Sequence, residues 1–348
     1  MLDETHRAVA DLLGASDPDT IAFGANMTTL TFALSRSLAR TWKPGDEVLV
    51  TRLDHDANFS PWVMAARDAG AEVKIVDFRP EDCTLDLEDF RRKLSSKTRL
   101  VAVGCASNAT GTRNPIPQLV QWAHDAGALI FLDAVHYAPH ALVDVENWGC
   151  DFLACSAYKF FGPHVGILWG RRHLLEELTA YKVRPATNSL PGKWMTGTQN
   201  HECLAGVLAA VRYLETLGRS LGCAANATRR DALRAAMNGI EVVERELSLK
   251  MLAGFAQIPE VRLHGIADPQ RVAERFPTFA ITHGKKKTSQ VAIDLAHRGI
   301  FTWHGNYYAL NLTEALGLEP EGMVRIGLVH YNTAEEVDRL LAELRHCE

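Results

Sequence analysis

Two stretches decide the fold: Ala-Leu-Ile-Phe-Leu-Asp-Ala-Val-His at 128–136 and Asp-Phe-Leu-Ala-Cys-Ser-Ala-Tyr-Lys at 151–159. Within them, residues 129–132 and 152–155 are short runs that are apolar on both faces, which is typical of buried strands in a parallel sheet. Asp133 follows the first run and Lys159 closes the second. Their spacing leaves room for one helix-and-strand unit, so we expect both side chains at the ligand-binding edge of one sheet.

The same pattern recurs on both sides of these stretches. Strand-like runs alternate with helical stretches, which predicts an α/β fold with a doubly wound, mostly parallel sheet. The other predicted strands are 20–23, 47–50, 72–76, 100–103 and 165–169, and the predicted helices between them are 28–40, 61–69, 87–94 and 116–126.

The alternation of strands and helices changes after a predicted helix at 201–217. Helices at 229–236, 244–256 and 291–299, strands at 275–282 and 324–330, and a closing helix at 333–344 indicate a smaller α+β domain. We therefore divide the chain into a large domain, 1–219, and a small C-terminal domain, 220–348. Thr333 and Glu336 have the spacing of a helix capping box.

Composition excludes several function classes. The 348 residues are 47% apolar and 23% charged, with a net charge of -5, which gives no reason to expect nucleic acid or an anionic membrane as partner. No apolar run approaches the roughly 20 residues of a membrane span. Seven cysteines without a CxxC pair favour a reducing, cytoplasmic location. HExxH is absent and Pro139 separates His136 from His140, so we predict no metal site.

Lys159 and Asp133 suggest a chemistry when they are taken together. A lysine among small and aromatic neighbours can lose its proton and form a Schiff base. Alone, such a lysine is more often a solvated surface group, and Asp133 alone is more often a helix cap. An aspartate that keeps a pyridine nitrogen protonated is what a pyridoxal 5′-phosphate (PLP) site requires. His136, three residues beyond Asp133, could reach the phenolic oxygen of that cofactor.

Two earlier motifs fit the same hypothesis. Gly-Ala-Asn-Met-Thr-Thr at 24–29 opens a predicted helix, and a helix N-terminus binds anions such as phosphate, although a simple cap is the commoner role. His55, in Leu-Asp-His-Asp-Ala-Asn at 53–58, follows a predicted strand and could stack on the ring or be a loop histidine. The nucleotide-binding motifs GxGxxG and GxxxxGK[ST] are absent.

The order of these motifs, with Ser-Asn-Ala-Thr-Gly at 107–111, resembles the class V aminotransferase family of fold-type I PLP enzymes, and most closely its cysteine desulfurase and selenocysteine lyase branch. The resemblance implies that Lys159 carries PLP, Asp133 pairs with its ring nitrogen and His55 stacks on the ring, as the catalytic residues. It also implies a homodimer in which Thr198 reaches the neighbouring subunit's cofactor. The other implied ligands are His136, Met27, Thr28, Asn108, Ser156 and Tyr158 for the cofactor, and Arg325 and Asn108 for the substrate carboxylate.

One position departs from that branch. Desulfurases receive sulfur on a loop cysteine, and Tyr308 occupies the matching position in Trp-His-Gly-Asn-Tyr-Tyr-Ala at 303–309. The leading hypothesis is therefore a PLP enzyme acting on an α-amino acid as a desulfurase-like C–S lyase without that cysteine. The alternatives are an aminotransferase or amino-acid epimerase of the same family, and a non-catalytic partner protein with this fold. Cys105 and Cys155 flank the predicted site but are expected to be small buried residues.

Overall fold

The computed structural model describes residues 1–224 and 226–346, so Cys347 lies outside the described residues. The strands in chain order are β1 (Ile21–Gly24), β2 (Glu47–Thr51), β3 (Glu72–Val76), β4 (Phe78–Arg79), β5 (Thr84–Leu85), β6 (Thr98–Gly104), β7 (Leu129–Asp133), β8 (Phe152–Ser156), β9 (Gly166–Gly170), β10 (Val261–His264), β11 (Thr278–His283), β12 (Trp303–Gly305) and β13 (Met323–Gly327). The α-helices are α1 (Leu2–Leu13), α2 (Met27–Ala39), α3 (Ser60–Ala69), α4 (Leu87–Lys93), α5 (Ile116–Asp125), α6 (Val145–Trp148), α7 (Arg172–Glu177), α8 (His201–Ser220), α9 (Arg229–Phe255), α10 (Thr288–His297), α11 (Leu310–Ala315) and α12 (Ala334–Arg345).

A seven-stranded sheet in the order β1-β9-β8-β7-β6-β2-β3 organises the first part of the chain. Strands β3, β2, β6, β7 and β8 pair in parallel, and β9 runs antiparallel to both β8 and β1. The predicted mostly parallel α/β sheet is therefore confirmed. Because parallel strands end at the same edge, the carboxyl ends of β6, β7 and β8 lie side by side.

Helices cover both faces of this sheet, and strand side chains alternate between two apolar cores. On β6, Leu100 and Ala102 enter one core, and Val101 and Val103 enter the other. This two-sided burial explains why the strands read as continuous apolar runs.

A second, antiparallel sheet has the order β10-β11-β13-β12. One of its faces carries Phe279, Ile281, Val324 and Ile326 into a third core, which contains residues of α9, α10 and α12. The predicted capping box of α12 is present: Glu336 N–H donates to Thr333 Oγ1, and the Glu336 carboxylate accepts the Thr333 N–H. The division of the chain at residue 219 stays a prediction.

Helix α9 corrects one expectation. The sequence predicts two helices, 229–236 and 244–256, whereas one helix runs from Arg229 to Phe255. Gly239 lies between the two predicted segments, and a Cβ there would lie 2.5 Å from a Leu221 methyl carbon. The helix stays continuous because its two halves are buried in different cores.

No helix among the described residues is long and apolar enough to cross a membrane.

Candidate active site

The carboxyl ends of β6, β7 and β8 open into a cavity of about 620 Å³, whose opposite wall comes from the antiparallel sheet and the loop after β12. All predicted site residues except Thr198 line this cavity: Met27, Thr28, His55, Asn108, Asp133, His136, Ser156, Tyr158, Lys159 and Arg325. Residues far apart in the sequence therefore meet in one place, as the motif order predicts.

Lys159 lies in the short helical turn that follows β8. Desolvation lowers the pKa of its amine, and the nearby Arg325 charge lowers it further, while Asp133 opposes the shift. Its Nζ lies 5.4 Å from the centroid of the Tyr158 ring, which itself stacks on His164. A lowered pKa increases the fraction of the amine that is neutral, and the neutral amine is the form that bonds to a carbonyl carbon.

Asp133 ends β7, and its Oδ1 accepts the Val135 N–H at 2.8 Å. Complete burial raises the pKa of its carboxyl to about 6, because little in its surroundings replaces the lost water. A cation placed in the cavity, such as a protonated ring nitrogen, would restore the charged form.

His55 is held as a neutral imidazole. Its Nδ1 accepts the Ala57 N–H at 3.0 Å, which places the ring proton on Nε2. Burial, with the Lys159 charge as the next cause, lowers its pKa to about 4. A neutral ring fixed at the wall of the cavity is suited to stacking on a planar ligand.

Asn108 and Arg325 connect the two sheets across the cavity. Arg325, on β13, donates to the Asn108 carbonyl at 3.1 Å, and its guanidinium lies 4.6 Å from the centroid of the Tyr307 ring. Burial is the main cause that lowers the pKa of Arg325. The guanidinium has further donors that can form a paired interaction with a carboxylate.

The N-terminus of α2 forms another wall. Asn26 caps the helix by accepting the Thr29 N–H at 2.9 Å, which leaves the N–H groups of Met27 and Thr28 at the free end of the helix dipole. Gly166 on β9 packs against this turn so closely that a Cβ there would lie 2.2 Å from the Asn26 carbonyl carbon. The Ser156 hydroxyl lines the same cavity, and together with these backbone donors it offers partners for an anion such as phosphate.

His136 lines the cavity and is the first of three buried polar side chains in contact, followed by His140 and Glu244. Its ring lies edge-on to His140 with the centroids 5.3 Å apart, and His140 Nδ1 lies 2.9 Å from Glu244 Oε2. Burial holds the pKa of His136 well below its usual range, so this ring is neutral.

Two buried polar atoms of the cavity wall have no partner among the described residues: Asn108 Oδ1 and His136 Nε2. Buried polar groups are normally hydrogen-bonded, so these two atoms are available to a polar ligand in the cavity. Lys159, Asp133 and the α2 N-terminus offer partners for an aldehyde carbon, a ring nitrogen and a phosphate. The residues present therefore fit PLP.

Thr198 stands apart from this group. It lines a second cavity, of about 480 Å³, which also touches the first turn of α2 through Thr29. Within one chain it does not reach Lys159, and its predicted contact with a neighbouring subunit stays a prediction.

The sequence analysis missed several residues of the cavity wall. The first is Asp54, which is fully buried and whose pKa is raised to about 7 by desolvation. Its oxygens accept hydrogen bonds from Thr51 Oγ1 and Asn58 Nδ2 at 2.6 and 3.2 Å. Its position beside His55 was the available signal. Other missed residues include Trp303 and His304 on β12, Asn306 and Tyr307 in the loop after it, and Pro320 before β13.

The cysteines near the cavity are buried, as expected. Cys105 and Cys155 are fully buried, and desolvation raises the pKa of both thiols, which makes them poor nucleophiles. The loop between β12 and α11, residues 306–309, contains Tyr308 and no cysteine.

Comparisons with known proteins agree with this architecture. The family model "Aminotransferase class-V" matches residues 1–340. A cysteine desulfurase of Pectobacterium atrosepticum is 30% identical over 358 residues, covering 99% of this chain and 81% of the relative. "Aminotransferase-like protein FGM3" of Gibberella zeae is 32% identical over 356 residues, covering 99% and 82%. The apo structure of the cysteine desulfurase from Thermococcus onnurineus NA1 superposes with a TM-score of 0.88 at 25% identity, covering 99% and 83%.

The chain belongs to the aminotransferase class-V family. It is a PLP-dependent enzyme with the fold-type I architecture, and its relatives place it in the cysteine desulfurase-like branch. The predicted family, fold and cofactor are thereby confirmed, and the alternative of a non-catalytic partner protein is set aside.

Proposed function

We propose that this enzyme acts on an α-amino acid and eliminates its sulfur substituent at Cβ, as a C–S lyase that uses no loop cysteine. One observation carries this proposal: Lys159, Asp133 and Arg325 line a single cavity, together with Tyr308 where a sulfur-accepting cysteine would be expected. The desulfurase-like relatives support the C–S specificity.

The chain's own residues divide the work. Lys159 attaches the cofactor and, once the substrate amine replaces it, its free amine takes the proton from Cα. Arg325 and Asn108 hold the substrate carboxylate. Bound PLP supplies an electron sink for the negative charge that develops at Cα. The cofactor itself would be held by Asp133 at the ring nitrogen, His55 on the ring face, Asn108 and His136 at the phenolic oxygen, Met27, Thr28 and Ser156 at the phosphate, and Tyr158 beside Lys159.

Absorbance tests the cofactor site. Adding PLP to the purified chain should produce a band at about 410–430 nm. Lys159→Ala should abolish it, and Lys97→Ala, which removes an exposed lysine outside the cavity, should keep it. A wild-type protein that stays colourless, or a band that survives in Lys159→Ala, contradicts the assignment of Lys159.

The reaction has its own test. Incubation with cysteine, cysteine sulfinate and alanine should be followed by assays for sulfide, sulfite and pyruvate. Sulfide and pyruvate from cysteine, without a persulfide on the enzyme, support elimination into solution. Cα hydrogen exchange in alanine without any elimination indicates an aminotransferase or epimerase instead.

We also propose a homodimer in which Thr198 completes the phosphate site of the neighbouring subunit. The support is that the Thr198 cavity and the candidate active site both touch the first turn of α2. Thr198→Ala should weaken PLP binding without changing the oligomeric state in sedimentation. A monomeric holoenzyme would contradict this proposal.

The described cysteines are all free, which supports a cytoplasmic location.

A further inference from the structure

Two aromatic side chains, Trp303 and Tyr308, form what we term the aromatic rim of the active-site cavity. Both line the cavity, yet 67% and 71% of their surfaces are exposed. Large aromatic groups gain more from burial than most side chains, so a rim left uncovered at the mouth of a binding site is a surface for a ligand.

The backbone of Tyr308 is fixed although its ring is uncovered. Its carbonyl accepts the Asp56 N–H at 2.7 Å, and its N–H donates to Asn306 Oδ1 at 3.1 Å. Tyr308 also adopts a left-handed conformation, with φ of 61°. Its ring centroid lies 5.4 Å from that of His55, at an angle of 31°. The backbone that carries the phenol ring is therefore fixed, and the ring lies next to His55, the residue expected to stack on the cofactor.

The cavity has few charged lining residues. Its lining residues of the types Asp, Glu, Lys and Arg are Asp54, Asp133, Lys159 and Arg325. Three of these have assigned tasks, and Asp54 is fully buried. No residue of these types belongs to the rim, so the rim is suited to an uncharged aromatic group.

We propose that the substrates are S-substituted cysteines that carry an aromatic group on sulfur, and that the rim binds this group. The inference rests on the proposed Cβ elimination. Lys159 takes the Cα proton, the Cβ–S bond breaks, and its electron pair leaves on sulfur, which gains a proton. One water then converts the three-carbon enamine into pyruvate and ammonia. Because the aromatic thiol leaves whole, no enzyme cysteine has to accept sulfur.

The test compares S-benzyl-L-cysteine with S-methyl-L-cysteine on the PLP-loaded enzyme. Apparent Kd is measured from the change in cofactor absorbance, and turnover from the released thiol and pyruvate. The wild type should prefer the benzyl compound by roughly threefold to tenfold, the range of one aromatic contact. Tyr308→Ala should remove most of this preference, and Tyr308→Phe should keep it.

Phe301→Ala serves as the matched control, because Phe301 is 87% exposed close to the rim in sequence but does not line the cavity. It should leave the preference unchanged. Equal binding of both compounds by the wild type, or an unaltered preference in Tyr308→Ala, overturns the role of the rim. A preference in Kd without any thiol release would reject the lyase reaction and leave the rim's selectivity standing.

Discussion

Asn108 donates a hydrogen bond from Nδ2 to the backbone carbonyl of Tyr307 at 2.9 Å, and so ties the segment after β6 to the loop after β12. Asn108→Ala removes this donor and leaves the Tyr307 carbonyl without its partner, which costs about 1–3 kcal/mol locally. Amide hydrogen exchange in residues 303–309 should therefore become faster. Asn108→Asp, which keeps the shape but not the donor, should act similarly, and unchanged exchange in both variants would rule out the tether.

Gly166 should affect phosphate binding because it packs against Asn26, at the start of α2. In Gly166→Ala the added methyl group would displace the Asn26 turn at the start of α2. Overpacking of this kind costs about 1–3 kcal/mol, so PLP affinity should fall roughly tenfold. Titration with pyridoxal, which lacks the phosphate, should show a much smaller loss.

Gly327→Ala is the control for this substitution, since a Cβ at that position meets no atom within 4 Å. Equal losses of affinity for PLP and pyridoxal in Gly166→Ala would indicate a general structural defect rather than an altered phosphate site.

Asp54 should make the stability of the cofactor-free protein depend on pH. Burial raises its pKa to about 7 in the folded state, whereas an unfolded aspartate has a pKa near 4. The folded state thus binds the extra proton, and the contribution of Asp54 to stability falls as pH rises through this window. Asp54→Asn should gain stability relative to the wild type by up to about 1.4 kcal/mol for each pH unit between roughly 4 and 7.

Urea unfolding at pH 4.5, 5.5 and 6.5 measures this difference. The comparison with the wild type matters because buried histidines such as His136, with lowered pKa values, act in the opposite direction. A difference that is constant across the three pH values would show that Asp54 is charged throughout.

The buried pair of His140 and Glu244 should stabilise the region next to the active site. Glu244→Ala leaves His140 Nδ1 without its hydrogen-bond partner and should cost about 2–4 kcal/mol. Glu244→Gln keeps a carbonyl acceptor and should cost clearly less, because burial raises the pKa of Glu244 and so disfavours its charged form. Urea midpoints compare the two variants, and an equal loss would mean that the pair needs the charged carboxylate.

Much of the large sheet could be predicted from the sequence. Strands such as β7 and β8 are apolar on both faces; Asp133 ends β7, and Lys159 lies in the turn after β8. The local sequence pattern was therefore sufficient to predict that these two residues lie at one edge of the sheet. The edge strands β10 and β12 were missed because they are only partly buried and carry no regular alternation.

The aromatic wall of the cavity was harder to foresee. Tyr307 is far from Asn108 in sequence, and their contact depends on how the antiparallel sheet packs against the large one. The continuity of α9 could not be predicted from the sequence either, because its two halves are buried in different cores.

Helix α9 has a consequence for how the molecule folds. Its first half contributes Leu233 and Met237 to the core beneath the large sheet, and its second half contributes Met251 and Phe255 to the core of the antiparallel sheet. If either core lost its packing, half of α9 would be exposed, and the other core depends on the same helix. The two regions should therefore unfold as one cooperative unit, which preserves the shape of the cleft between the two sheets.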